Sequence, residues 1–238
     1  MLKILRLSIL FPYCAAAFSL GTIFCLLRPF HPNNLYLSTR LLSPIMWLMG
    51  IRFSIEGKEL LLQQGPAIII SNHQNNWDMF PACATLPTRA VALGKSSIVF
   101  IPFFGLFFWL SGNVLIKREK RDNALKSLDR VRSLLTNKNM KIWILPEGTR
   151  SRGRGLLPFK KGAFHTAIHT GLPIIPICYS SYAGTINLNR WHAGEIRAQV
   201  LPPIATNGMQ TSDVNGLTNQ CHEMMRQKIA ALDQQIHC

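Results

Sequence analysis

Acidic side chains are few in this sequence: 11 Asp and Glu stand against 26 Lys and Arg among 238 residues. Charge of either sign is sparse, 16% against the ~25% of an ordinary soluble chain. With 48% apolar side chains, such a chain is expected to touch lipid. The net charge of +15 attracts polyanions, and the apolar composition selects an anionic membrane face. No nucleic-acid-binding module is present, so no nucleic-acid partner is expected. The six cysteines, at 14, 25, 83, 178, 221 and 238, form no C-x-x-C pair and no compact Cys/His cluster. That excludes a zinc site of the usual spacing and argues for a reduced, cytoplasm-facing protein without structural disulfides. No G-x-S-x-G occurs, which removes the nucleophile elbow of the serine hydrolases. Gly94-Lys95-Ser96 is not a phosphate loop, because position 89 holds Arg where Gly is required.

What is present begins with a long apolar run. Leu7 to Leu27 carries no charge over 21 residues, a helix of about 30 Å, the thickness of a bilayer core. Pro12 and Gly21 interrupt it, as membrane helices tolerate. It is too long for a signal peptide, and Cys25-Leu26-Leu27 is a poor cleavage site. Leu35 to Met49 is shorter and broken at Pro44; it reads as an interfacial helix with Trp47 near the headgroups, or as a core helix of the following domain. Basic residues flank the first run on both sides, so charge alone leaves topology open.

From residue 51 to the C-terminus the pattern is α/β, after an N-terminal anchoring segment over residues 1–50. Compact apolar runs at Ala67–Ile70, Ala90–Leu93, Ile142–Leu145, Pro173–Cys178 and Ile196–Leu201 are predicted strands. Helical patterns lie between them: one capped by Asp122 with Leu125, Leu128, Val131 and Leu135, one over Gly162 to His169, and one in the last 25 residues with Val214, Leu217, Cys221, Met225, Ile229 and Leu232. The alternation predicts a mostly parallel sheet flanked by helices, with the N-terminal helical segment embedded in the membrane.

Two polar motifs follow predicted strands, where α/β folds place their sites. In Ser71-Asn72-His73-Gln74-Asn75-Asn76-Trp77-Asp78, a regular helix would point His73 and Asp78 apart. They can meet if His73 occupies the strand-to-helix turn and Asp78 the first turns of the helix. Asp78 would then fix the imidazole tautomer and leave the other ring nitrogen free as a general base. With no nucleophile supplied, such a pair would activate a hydroxyl of the substrate. In Leu145-Pro146-Glu147-Gly148-Thr149-Arg150-Ser151-Arg152-Gly153-Arg154, glycines permit close backbone approach. Arg150, Arg152, Arg154, Lys160 and Lys161 place five cations in twelve residues without an acid, a pattern suited to phosphate oxygens. Glu147 within it could bind hydroxyls or anchor the arginines. The hydrophobic stretch Gly94 to Leu110 could line an acyl groove, dip into the membrane or pack as core, and it runs on to Ile116-Lys117-Arg118.

Taken together these blocks resemble the glycerolipid acyltransferase family. Asn72-His73-x4-Asp78 resembles its catalytic block. Lys95 through Ile101-Pro102-Phe103-Phe104-Gly105 to Arg118 resembles the second, Pro146-Glu147-Gly148-Thr149-Arg150-Ser151 the third, and Pro173-Ile174-Ile175-Pro176 the fourth. Leu145 stands where the third block usually begins with Phe. The resemblance implies an enzyme that moves an acyl group from an acyl carrier protein or coenzyme A thioester to the sn-2 hydroxyl of lysophosphatidate. It needs no metal or other cofactor and works in phospholipid biosynthesis at the bacterial inner membrane, with its site facing the cytoplasm. It makes His73 the base and Asp78 its partner. Glu147, Gly148, Thr149 and Arg150 would bind the acceptor, helped by Arg118 and Lys95. Another acceptor, such as glycerol-3-phosphate or another lysolipid, and a non-catalytic membrane-binding scaffold are the alternatives. The chemistry requires His73 and Arg150 to converge on one small acceptor.

Overall fold

The apolar runs assemble into the centre of one sheet. The structure, a computed structural model, describes residues 1–62, 65–116 and 131–237. Among these, the strands are β1 (Ile51–Glu56), β2 (Ala67–Ser71), β3 (Ala90–Lys95), β4 (Val114–Ile116), β5 (Lys141–Ile144), β6 (Ile174–Tyr179) and β7 (Gly194–Val200). Their order across the sheet is β1-β7-β6-β2-β5-β3-β4. Every pairing is parallel except β6 with β7. Central β2 lies between β5 and β6, with Ile68 opposite Ile142 on one side and Ile174 on the other. All residues of β2, β5 and β6 are buried, which is why they read as unbroken apolar runs and not as alternating ones. Edge strand β1, by contrast, alternates between inward and outward residues. That weaker signal is why it escaped the sequence reading.

Side chains of successive strand residues leave opposite faces of the sheet. On one face Ile68, Ile70, Ile142 and Ile144 pack against Val131 and Leu135, against Phe164 and Ala167 of the helix Gly162–Thr170, and against Val214, Leu217, Cys221, Met225, Ile229 and Leu232 of the C-terminal helix Val214–His237. Gly171, left-handed at φ 64°, ends the first of these helices. Of the helix expected from Asp122, positions Asp122, Leu125 and Leu128 lie outside the described residues; 131–136 is helical.

The N-terminal helices cover the other face: α1 (Leu2–Leu27), α2 (Asn34–Leu42) and α3 (Ile45–Leu48), together with α4 (Met79–Thr85) and α5 (Phe104–Leu110). One hydrophobic cluster runs from Phe18, Leu35, Leu42 and Ile45 to Ile69, Trp143 and Ile177 of the sheet, crossing the expected boundary at residue 50. Helix α1 is held at both ends. Near its start the Arg6 guanidinium donates from Nη1 to the carbonyls of Leu188 (2.9 Å) and Arg190 (2.6 Å), and from Nη2 to that of Trp191 (2.8 Å). Just past its end, the Phe30 amide donates to Leu110 O at 3.0 Å. Between them the Phe18 ring lies 5.0 Å from Phe104 and 5.6 Å from Phe107. Along α1, Ile4, Phe11, Leu20, Ile23 and Leu27 are exposed, as are Leu37, Leu41, Trp47, Phe100 and Phe103. By length and composition α1 could cross a membrane. The segment Leu35–Met49 divides its roles by side chain: Leu35, Leu42, Ile45, Met46 and Met49 enter the core, and Leu37, Leu41 and Trp47 face outward.

Candidate active site

The turns after β2 and β5 meet at the carboxyl ends of the parallel strands. In the first, Asn75 caps a single 3-10 turn, Asn76–Asp78, that leads into α4. Its side-chain oxygen accepts from the Trp77 amide at 2.7 Å, and Asp78 returns a bond from the Asn75 amide at 3.0 Å. This reversal brings Asp78 back over His73, with Nδ1 of His73 2.5 Å from Oδ2 of Asp78. Asp78 also accepts from the Gln74 amide at 2.7 Å and from the Tyr182 hydroxyl. A carboxylate surrounded by donors takes the acceptor role toward the imidazole as well. Nδ1 therefore carries the proton and Nε2 keeps its lone pair. The two side chains are 18% and 13% exposed, which leaves the imidazole reachable from solvent.

Neighbouring side chains hold the turn from behind. Asn72 pairs with the main chain of Tyr179 through two 2.9 Å bonds. Gln74 donates to Ser180 O at 2.7 Å and accepts from the Tyr182 amide at 2.9 Å. Tyr182 and Tyr179 are both buried; burial first, then Asp78 nearby, keep their phenols protonated far above the ordinary tyrosine range.

The second motif is stitched directly to the first. Ser151 N donates to His73 O at 2.8 Å, and Arg152 N to Gln74 O at 2.9 Å. Glu147 accepts from the His73 amide at 2.5 Å through Oε1 and from the Leu157 amide at 3.0 Å through Oε2. Burial pushes its carboxyl up, opposed by these two amides and by His73. Gly148 is left-handed at φ 67°, and a Cβ there would sit within 3.0 Å of the Lys160 side chain. The residue therefore turns the chain while leaving room for a cation beside the motif.

Both motifs open into one cleft of about 940 Å³. His73, Asp78, Lys95, Gly148, Thr149, Arg150 and Arg152 line its polar end; its apolar walls come from Phe18, Leu42, Met79, Cys83, Phe104 and Phe107. Burial pushes the Cys83 thiol up to about 12, so it offers no thiolate nucleophile. The cleft thus joins a base, cations and a hydrocarbon-compatible wall.

Residues 52–180 match the family model named Acyltransferase. The chain belongs to the acyltransferase family. It is 40% identical over 236 residues to the 1-acyl-sn-glycerol-3-phosphate acyltransferase of Haemophilus influenzae, covering 99% of this chain and 98% of that one. It is 41% identical to the enzyme of the same name from Escherichia coli, over 99% and 96% of the two chains. Human 1-acyl-sn-glycerol-3-phosphate acyltransferase beta is 34% identical over 90% of this chain and 80% of its own. The fold matches the crystal structure of PlsC, the 1-acyl-sn-glycerophosphate acyltransferase from Thermotoga maritima, with a TM-score of 0.69, 19% identity and 98% of each chain covered.

In this acyltransferase, then, six of the eight residues singled out from the sequence line a common cleft: His73, Asp78, Lys95, Gly148, Thr149 and Arg150. Glu147 does not. It is 2% exposed and turned inward onto main-chain amides, so its carboxylate ties the turns together and does not face the cleft. Arg118 lies outside the described residues. Gln74 and Tyr182 are part of the site and were not found from sequence. Gln74 stands within the first motif, but its partners Ser180 and Tyr182 are more than a hundred positions away; Tyr182 sits in a loop with no motif of its own.

Proposed function

We propose that this enzyme transfers a fatty acyl group from an acyl thioester, of acyl carrier protein or coenzyme A, to the sn-2 hydroxyl of 1-acyl-glycerol-3-phosphate, forming phosphatidic acid. The observation that carries this reading is the opening of His73 and Arg150 into one cleft that also has an extended apolar wall. A lysophosphatidate has the matching parts: a phosphate, a free hydroxyl beside it and a hydrocarbon chain.

In this reading Arg150, Lys95 and Lys160, helped by Arg118, take the phosphate, and the turn at Gly148 and Thr149 lies along the glycerol. Arginine forks suit phosphate oxygens because two parallel N–H bonds fix orientation as well as charge. Nε2 of His73 accepts the sn-2 proton as the hydroxyl oxygen attacks the thioester carbonyl, and Asp78 stabilises the imidazolium that forms. The tetrahedral intermediate then collapses, the C–S bond breaks, and the thiolate leaves with the proton returned by His73. Glu147 serves by fixing the two turns against each other.

Membrane association follows from the outward apolar side of α1, α2 and the Phe100–Leu106 region. The length of α1 predicts a transmembrane helix; because it is held to the α/β body at both ends, we propose instead that it lies along the body within one leaflet of a bacterial inner membrane, with the cleft opening toward the cytoplasm. Incubating the purified protein in anionic vesicles with lysophosphatidate and a labelled acyl thioester should yield labelled phosphatidic acid. Glycerol-3-phosphate in place of the lysolipid should yield little product. Vesicle binding without thioester consumption would leave only a membrane scaffold and end this reading.

A further inference from the structure

We infer that Tyr182 is a positioning residue for acyl transfer: its hydroxyl holds Asp78 against His73 and sets how strongly that carboxylate supports the imidazolium. The inference rests on the acyl-transfer reading above. Tyr182 reaches the site from the loop after β6, 104 positions from Asp78. It is 2% exposed, so its hydroxyl has little access to water and donates to Oδ1 of Asp78. The placement is built from two sides. The Tyr182 and Ala183 amides both donate to Oε1 of Gln74, at 2.9 and 3.2 Å, and Nε2 of Gln74 donates to Ser180 O at 2.7 Å. Gln74 in turn donates its own amide to Oδ2 of Asp78 at 2.7 Å. One glutamine therefore grips both the loop that carries the tyrosine and the carboxylate that the tyrosine meets.

The two oxygens of Asp78 divide their work. Oδ2 meets the imidazole and the Gln74 amide; Oδ1 meets the Asn75 amide and Tyr182. A donor on Oδ1 draws charge from Oδ2 and so limits the stabilisation of protonated His73. The other titratable groups facing Asp78 are Glu147 from the turn after β5 and Tyr179 from β6. Neither has a hydrogen bond to it, so Tyr182 is the ionisable neighbour besides His73 that touches Asp78 among the described residues.

Two opposite changes at this hydroxyl test the assignment. Tyr182→Phe deletes the donor, and 3-fluorotyrosine at 182 makes it more acidic and a stronger donor. The expected result for Tyr182→Phe is a fall in kcat of about tenfold, the scale of one charge-assisted hydrogen bond, with KM for lysophosphatidate within about twofold. The acid limb of kcat/KM should move to higher pH by about half a unit; the fluorotyrosine protein should move it lower. The downfield Nδ1–H proton resonance of His73 should shift in opposite directions in the two proteins, a readout that does not require turnover. In an Asp78→Asn background, Tyr182→Phe should cost nothing further. Unmoved pH limbs and an unmoved resonance, or an equal loss in the Asp78→Asn background, would overturn the role. An inactive parent protein would overturn the acyl-transfer reading instead, and the resonance would still judge Tyr182. If the phenylalanine protein does not fold, the fluorotyrosine protein decides alone.

Discussion

The main-chain amide of His73 donates to the side chain of Glu147 at 2.5 Å, across 74 positions of sequence. The second oxygen of Glu147 accepts from Leu157 at 3.0 Å, and the carbonyl of His73 accepts from Ser151 at 2.8 Å. Both backbone groups of the histidine are therefore held by the motif that carries Arg150. The imidazole and the guanidinium do not sit on independent loops; they belong to one hydrogen-bonded body, which fixes their separation before any substrate arrives.

Replacing Glu147 by Gln tests that body. A carboxylate offers an acceptor to each of two converging N–H groups; an amide offers one acceptor and turns its NH2 against the other. The expected loss is about 1–3 kcal/mol of stability, with kcat lowered about tenfold as the base loses its seat. The pH dependence has a definite sign. Burial pushes the Glu147 carboxyl above the ordinary glutamate value, so between the unfolded and folded values the folded state keeps a proton that the unfolded chain has released. The associated stabilisation is full below the unfolded value and is lost as pH rises through the folded one. Glutamine has no such term. Denaturant titrations should therefore show the gap between parent and variant widening as pH falls through this window, and a gap constant across it would contradict the assignment.

At the reacting pair, His73→Ala should reduce kcat by about 10³-fold or more while acceptor binding persists. Asp78→Asn should cost about as much, because the amide can donate to Nδ1 and so favour the wrong tautomer. Single-turnover rates with labelled acyl thioester measure the first; equilibrium binding of lysophosphatidate measures the second half of the claim. Turnover at the parent rate in either variant would remove the base from the mechanism.

Some of this was legible in the sequence for a plain reason. Strands β2, β5 and β6 are buried on both faces, so Ile68-Ile69-Ile70 or Ile142-Trp143-Ile144 admits few other readings. His73 and Asp78 were legible because their partnership is local: an Asn-initiated turn folds five residues back on themselves. Glu147 was found, but its direction was not. A carboxylate amid cations suggests a ligand in the cleft, and only the tertiary structure reveals that main-chain donors 74 and 10 positions away claim both oxygens. Tyr182 was invisible because nothing local requires it. Its hydroxyl matters only after β6 lies beside β2, a pairing that leaves no periodic trace in the loop that follows.

Arg150 is exposed and lines the cleft, so its contribution should appear in binding and not in folding. Arg150→Ala should raise KM for lysophosphatidate by about tenfold to a hundredfold, with a smaller change in kcat and an unchanged melting temperature. Lysine at 150 should recover part of the loss, since it restores the charge without the fork. Raising ionic strength should weaken acceptor binding in the parent more than in Arg150→Ala. Equal salt dependence in both proteins would move the phosphate away from this residue.

The other arginine to test lies far from the chemistry. Arg6 is 6% exposed in the first turns of α1 and donates to three carbonyls of the loop before β7. Gly50 sits against this junction at φ 71°, where a Cβ would lie 2.2 Å from Trp191 O and 2.3 Å from Nη2 of Arg6. Arg6→Ala strands three acceptors and Gly50→Ala forces them apart, so both should loosen the same contact. A loss of about 3 kcal/mol is expected for Arg6→Ala, and a comparable loss for Gly50→Ala from strain and clash together. Hydrogen exchange should accelerate over residues 186–193 in each variant. Phe11 and Phe18 of α1 line the cleft, so a loosened α1 should also raise KM for the acyl thioester while the acid limb of the pH profile stays in place. The double variant should cost less than the sum of the two, because Arg6→Ala removes the part of the Gly50→Ala loss that comes from the clash with Arg6. Full additivity, or exchange unchanged at the loop, would show that α1 is held elsewhere.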